Sequence, residues 1–192
     1  MKIIGFSASP HKEGNTAWII NKMLEGAKEQ GAETQAWYSN ELDIKPCIGC
    51  LGCHKQGGKG CVINDDMQKL YDALENADAL VIGSPVYMGQ MSAQAKIFTD
   101  RLFAQIKPRF SPQFKEKNAG KKLIIAFTQG NPDSEMFRTY FDYTKYMFKL
   151  LEFDVKDIVV VAGTRGEQAR ERKDLDIAMK EIGASLCNGF KI

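Results

Sequence analysis

The chain is predicted to fold as a three-layer, doubly wound α/β protein around a five-stranded parallel sheet. Short apolar runs alternate with amphipathic stretches of ten or more residues, and connections of that length imply parallel strands joined by right-handed crossovers. Two of the runs, ALVIG at 79–83 and IVVVA at 158–162, are unbroken, as strands covered on both faces are. The length of 192 residues, with 44% hydrophobic and 26% charged residues, suits one globular domain over 1–192 rather than two.

The elements follow in order. Lys2–Phe6 reads as a buried strand that runs into Ser7, Ser9 and Pro10. A helix begins at Asn15, with Ile19, Ile20, Met23, Leu24 and Ala27 near one face and Gly31 as its C-cap. Glu33–Tyr38 is a weaker strand, and Pro46–Gly60 an irregular loop rich in Cys and Gly. Asp65 or Asp66 caps a helix carrying Met67, Leu70, Tyr71 and Leu74. Ala79–Gly83 is a strand stopped by Ser84 and Pro85, followed by a helix over about Ser92–Ala104 and an exposed connection over Pro108–Gly120. Lys121–Phe127 is a strand, Ser134–Phe153 an aromatic-rich helix, Ile158–Ala162 the last strand and Gln168–Cys187 the last helix.

A formal net charge of +2, with cations and anions interspersed, gives no basis for binding nucleic acid or an anionic membrane. No run approaches the ~18 apolar residues of a membrane span, and the N-terminus lacks a signal-peptide pattern. A cytoplasmic protein is expected, and in that setting the five cysteines are not a disulfide framework.

In a doubly wound sheet, ligands sit beyond the carboxyl ends of the strands, so the loops there carry the functional reading. The first, Ser7–Thr16, is rich in hydroxyls and opens a helix. A helix N-terminus offers free N–H groups and partial positive charge to an anion. Ser7, Ser9, Asn15 and Thr16 can add side-chain donors, and Gly14 allows close approach. The loop has neither a Walker A ending nor a G-x-G-x-x-G pattern, and it suits a monophosphate. The competing reading is simple capping of the helix.

The second feature is Cys47, Cys50, Cys53 and Cys61, spaced C-x2-C-x2-C-x7-C within fifteen residues. Compact runs of this kind hold iron–sulfur clusters. Zinc ribbons set two C-x2-C pairs far apart, and free thiols can pack as small hydrophobes. All three readings stand at this point. His54 within the loop is weak evidence for a metal, and Cys187, beside Ile182 and Leu186, reads as core.

Together, SASPHKEGNT at 7–16, PCIGCLGCHKQGGKGCVINDDM at 46–67 and GSPVYMGQMSAQAKIFTDR at 83–101 resemble the flavodoxin-like NADPH-dependent FMN reductase family, and within it the iron–sulfur flavoproteins and their relatives. The resemblance implies a flavodoxin-like fold and an FMN site. Ser7, Ser9, Asn15 and Thr16 would hold the phosphate, with Pro10 and His11 shaping the loop. Pro85, Val86, Tyr87, Met88 and Gly89 would run along the flavin ring, with Thr128, Gln129 and Gly130 approaching from the other side. Cys47, Cys50, Cys53 and Cys61 would hold a 4Fe–4S cluster. A flavin ring is a planar apolar surface with polar edges; it wants close backbone N–H groups, and Gly89 permits that approach. Lys96, Asp100 and Arg101 recur in the family but read here as helix-surface pairs or subunit contacts.

The expected function is FMN-dependent electron transfer from NAD(P)H to a small-molecule or protein acceptor. The alternative is a non-catalytic carrier with FMN and a 4Fe–4S cluster. The flavin supplies the chemistry, so no catalytic side chain is named. In the Ser134–Phe153 helix, Met136, Phe137, Tyr140, Phe141, Tyr143, Tyr146, Met147 and Phe148 cover more of the circumference than one sheet can bury. A homodimer, or a dimer of dimers, is the expectation, in which this helix or the Met88–Phe103 region makes the contact.

Overall fold

The computed structural model describes residues 1–55, 60–106 and 117–188. Five parallel strands form the sheet: β1 Lys2–Ser7, β2 Glu33–Tyr38, β3 Ala79–Tyr87, β5 Lys122–Thr128 and β6 Asp154–Val161, in spatial order β2-β1-β3-β5-β6. A two-residue strand, β4 Gln90–Met91, folds back antiparallel on the end of β3. The order reverses between β1 and β3, which places the switch point where those two strands end.

Alternate side chains of each strand serve opposite faces of the sheet. Ile4, Phe6, Leu80, Ile82, Ile125 and Phe127 point to one core, which is completed by α2 (Met67–Glu75), α3 (Ala93–Arg101) and α4 (Arg138–Leu150). Ile3, Val81, Ile124, Ala126 and Val159 point to the other, completed by α1 (Asn15–Glu29) and α5 (Lys173–Asn188). This is the three-layer arrangement that the unbroken apolar runs predict.

Close contact on the second face depends on missing side chains. A Cβ at Gly83 would lie 2.5 Å from Ile20 Cδ1 and 2.8 Å from Thr16 Cγ2, so α1 lies directly on β3. A Cβ at Gly183 would come within 1.8 Å of the Met23 carbonyl oxygen, and one at Gly26 within 2.0 Å of that of Lys180. Helices α1 and α5 therefore meet backbone to backbone.

Several boundaries differ from expectation. Strand β3 runs on through Ser84 and Pro85, which pair with Phe127 and Thr128, into the arm of the β3–β4 hairpin. A proline removes only one N–H, and near a strand end the ladder tolerates that. Strand β6 begins at Asp154, because a bulge between the Val155 and Asp157 pairings breaks the alternation expected of a strand. The aromatic helix starts at Arg138, and Ala169–Glu171 forms a separate 3-10 turn before α5. In the Pro108–Gly120 connection, residues 108–116 lie outside the described residues. Asn118 is fully buried rather than exposed, its amide donating to Leu151 O at 3.1 Å.

Candidate functional site

The loop after β1 is held from both sides. Ala8 N–H donates to Gly83 O (2.8 Å), and Ser92 Oγ donates to Ala8 O (2.6 Å). Ser92 also caps α3, its Oγ accepting from Ala95 N–H, while its own N–H donates to Ser84 Oγ. The loop is thus locked to β3 and α3. It turns into α1 at Gly14, an N-cap without a side chain, so the first N–H groups of the helix have no intrahelical or capping acceptor from it. A Cβ at Gly14 would press on His11 Cβ (3.2 Å) and His11 O (3.3 Å).

Thr16 and Thr128 reach each other across the switch point, with Oγ1 atoms 2.7 Å apart and both residues buried. One hydroxyl donates to the other, which leaves a single O–H for a third group. Asn15 Oδ1 accepts from Ala169 N–H (2.7 Å), so its carbonyl side is committed and its amide N–H groups stay available.

Two adjoining cavities open here. The smaller, of about 220 Å³, is lined by Ser9, His11, Gly14, Asn15, Thr16, Pro85, Val86, Tyr87, Thr128, Gly130 and Thr164. The larger, of about 530 Å³, takes Val86, Met88, Gly89 and Gln129–Pro132 with Met136, Phe137 and Arg165. Val86 and Gly130 belong to both. Thirteen of the fifteen residues expected at a cofactor site line one cavity or the other; Ser7 and Pro10 line neither. Ser7 ends β1 beneath the loop, its hydroxyl buried without a partner among the described residues. Gln129 Oε1 is likewise buried and unpartnered, although its amide nitrogen donates to Asp133 O at 2.6 Å. Gln129 lines the larger cavity, and its orphaned oxygen is what an additional polar donor there would satisfy.

Met88 (φ +49°) and Gly89 (φ +77°) form the two-residue turn of the β3–β4 hairpin, for which left-handed backbone is required. Met88 is completely exposed at its tip. The loops after β5 and β6 are sewn together: Gln129 N–H donates to Val161 O, Thr164 N–H to Gln129 O and Gly163 N–H to Asn131 O. This junction brings in Thr164 and Arg165, which the sequence reading missed. Gly163 and Gly166 bracket them just beyond a strand's carboxyl end, and that position was the available signal.

Arg101 corrects one expectation. It is neither a helix-surface residue nor a subunit contact but is buried, with both terminal nitrogens on Asp65. Asp65 in turn accepts from Lys45 N–H and Met67 N–H, and Arg101 Nη1 also donates to Lys45 O. Burial pushes the Asp65 carboxyl up, but the Arg101 and backbone hydrogen bonds outweigh it and hold it below the usual range. Lys96 and Asp100, by contrast, do form an exposed i,i+4 pair.

The pair closes the base of the cysteine loop. Within that loop Cys47 and Cys50 are exposed and Cys53 and Cys61 half-buried. Burial pushes the Cys53 thiol up, and its three neighbouring cysteines add to the shift. His54 Nε2 donates to Phe103 O at 3.0 Å, and the ring stacks on that of Phe103. Among the described residues, no three ligand side chains are gathered closely enough to hold a metal. The four thiols as arranged therefore do not fit a cuboidal cluster. Cys187 packs on α1 near Ala27 O, as a core residue would.

A sequence profile of the NADPH-dependent FMN reductases matches residues 1–147. An iron–sulfur flavoprotein of Methanocaldococcus jannaschii is 41% identical over 135 residues, covering 70% of this chain and 67% of that protein. An iron–sulfur flavoprotein of Methanosarcina thermophila is 43% identical over 101 residues, 53% of this chain and 52% of its own, so the chain spans only about half that relative's length. The solved NAD(P)H:quinone oxidoreductase of Methanothermobacter marburgensis superposes with a TM-score of 0.74 at 14% identity, over 100% of this chain and 99% of that one, which shows a shared fold. With this fold and these loops, the chain belongs to the NADPH-dependent FMN reductase family of flavodoxin-like oxidoreductases.

Proposed function

We propose that this chain binds FMN in the two joined cavities and passes electrons from NAD(P)H to a flavin, quinone or protein acceptor. The observation that carries the reading is the pairing of unlike cavities. One sits at the uncapped start of α1 among hydroxyls, and suits a phosphate. The other is broad, floored by backbone and by Val86, Met136 and Phe137, and suits a planar ring. The buried, unpartnered Gln129 Oε1 in the second cavity fits a ring with a polar donor at its edge.

FMN, when bound, supplies the redox chemistry. The chain's part is to bind and orient. Ser9, Asn15, Thr16 and the first turn of α1 hold the anion, and the Ser84–Ser92–Ala8 hydrogen bonds keep that loop rigid. Val86, Met88, Gly89, Gln129 and Gly130 form the walls of the ring cavity. Comparing FMN with riboflavin tests the reading. Riboflavin lacks the phosphate and leaves the loop's donors unpaired, so it binds far more weakly; equal affinity overturns the assignment.

A second reading, a carrier with FMN and a 4Fe–4S cluster, is favoured by the C-x2-C-x2-C-x7-C spacing and by relatives named iron–sulfur flavoproteins. It requires the loop to draw its thiols together. Anaerobic mixing with NADPH separates the two readings: rapid bleaching of the flavin marks the reductase, and none marks the carrier. Assembly as a homodimer or homotetramer belongs to the same proposal and rests on the exposed face of α4.

A further inference from the structure

Among the described side chains lining the two cavities, Arg165 carries the only permanent charge, and no carboxylate is among them. It has no ion-pair or hydrogen-bond partner among the described residues. Asp133 and Glu135, which follow the cavity-lining Pro132, are engaged elsewhere: Asp133 accepts from Glu135 N–H, and Glu135 pairs with Arg138. Glu167, two positions after Arg165, is exposed, lines neither cavity and forms no ion pair with it. A free cation in an anion-free cleft is an electrostatic asymmetry that favours any ligand gaining negative charge there.

Its position is fixed by backbone. The Gly163–Gly166 turn closes on itself (Gly166 N–H to Gly163 O, 3.0 Å), and Gly163 and Thr164 donate to Asn131 O and Gln129 O. The Arg165 Cβ would lie 3.3 Å from a Cβ at Gly130, and its Nε 3.6 Å, so the side chain crosses Gly130 where a larger residue would meet it. Gly130 is also where the phosphate cavity joins the ring cavity. Arg165 stands on the ring side of that junction.

Resting on the FMN reading above, we propose that Arg165 tunes the cofactor: its guanidinium favours reduced over oxidised FMN. The oxidised ring system is neutral. Uptake of two electrons and one proton leaves it with one negative charge, and a nearby cation stabilises that form selectively. Uniform tight binding would leave the potential unmoved; only differential binding shifts it.

The test uses the FMN-loaded protein and the Arg165→Gln and Arg165→Lys variants, titrated anaerobically with dithionite beside a reference dye. Arg165→Gln is expected to lower the ratio of reduced to oxidised FMN affinity about tenfold, a two-electron potential about 30 mV more negative. Its Kd for oxidised FMN should change less than about twofold, because that ring carries no charge. Arg165→Lys should keep most of the wild-type potential. An unchanged potential in Arg165→Gln overturns the proposal, as does a lysine variant displaced as far as the glutamine one. Loss of oxidised FMN binding in Arg165→Gln also overturns it, by making Arg165 a uniform binding residue. Failure of the wild-type protein to bind FMN would instead defeat the underlying site assignment.

Discussion

Arg101 and Asp65 form a two-pronged ion pair, at 2.6 and 3.0 Å, with side chains 0% and 1% exposed. It joins the end of α3 to both ends of the cysteine loop, since Asp65 also holds Lys45 N–H and Arg101 holds Lys45 O. Removing one partner strands the other charge in the core, so Asp65→Ala should cost about 3–5 kcal/mol in urea unfolding. Replacing both with Leu and Met should cost much less than the single change. The Asp65 carboxyl lies below its unfolded value, so its contribution is complete above about pH 3.9 and is lost as pH falls through the folded value. The gap between wild type and the double variant should therefore shift against wild type on acidification below that point.

The Thr16–Thr128 hydroxyl pair joins the first turn of α1 to the end of β5. Thr16→Val or Thr128→Val leaves a buried hydroxyl unpaired, at a cost of about 1–3 kcal/mol. The double variant should be less destabilised than the sum, because no orphan remains. Denaturation of all three variants gives the coupling; simple additivity would show that the pair is not formed.

Much of this was legible in the sequence because the signals are local. Unbroken runs such as IVVVA mark strands covered on both faces, and the loops after β1 and β3 fall at the switch point that the alternating strand–helix order predicts. Arg101 was misread because its meaning depends on Asp65, thirty-six positions away in the chain, and burial of a charge is invisible without its partner. Asp65 does accept from Met67 N–H at the start of α2, as the capping expectation has it, but its pairing with Arg101 is hidden for the same reason. Arg165 was missed because its loop belongs to the site only through backbone bonds to Gln129 and Asn131. The early part of β6 was hidden by its bulge.

Gly183→Ala would drive a methyl group to 1.8 Å from Met23 O, a backbone atom that cannot swing aside. Helix α5 must move away from α1, and overpacking of this kind costs about 1–3 kcal/mol or more. Because α1 begins at the phosphate loop, FMN affinity should fall together with the melting temperature. Gly31→Ala, at a surface site with nothing within 4 Å of the added methyl, should show only the smaller cost of its left-handed backbone (φ +84°), about 1 kcal/mol.

Cys47 and Cys50 are exposed, whereas Cys53, Cys61 and Cys187 are partly buried. Metal-free protein should therefore show two fast thiols with an aromatic disulfide reagent and three slower ones. Anaerobic reconstitution with iron and sulfide then separates the readings of the loop. Cluster formation should turn the protein brown with about four irons per chain, abolish the fast thiols and fail in Cys50→Ser. Yellow, iron-free protein with its fast thiols intact leaves the thiol reading.

The aromatic helix divides unevenly between core and surface. Phe141 and Phe148 are buried, and Phe141 stacks on Phe127 with ring centroids 4.5 Å apart. Tyr143, Tyr146 and Leu150 lie 58%, 57% and 53% exposed in one row at i, i+3, i+7 spacing. Their side chains supply the aromatic and aliphatic area that favours subunit contact, and Met136 and Met88 extend exposed apolar surface towards the ring cavity. A twofold contact would use the same row on both copies. Light scattering at micromolar concentration should give a mass near twice 21.5 kDa, or four times for a dimer of dimers. Tyr146→Lys, which places like charges opposite each other across a twofold contact, should reduce the mass to that of one chain while leaving the melting curve of the monomer intact. A wild-type mass of 21.5 kDa would defeat the assembly proposal.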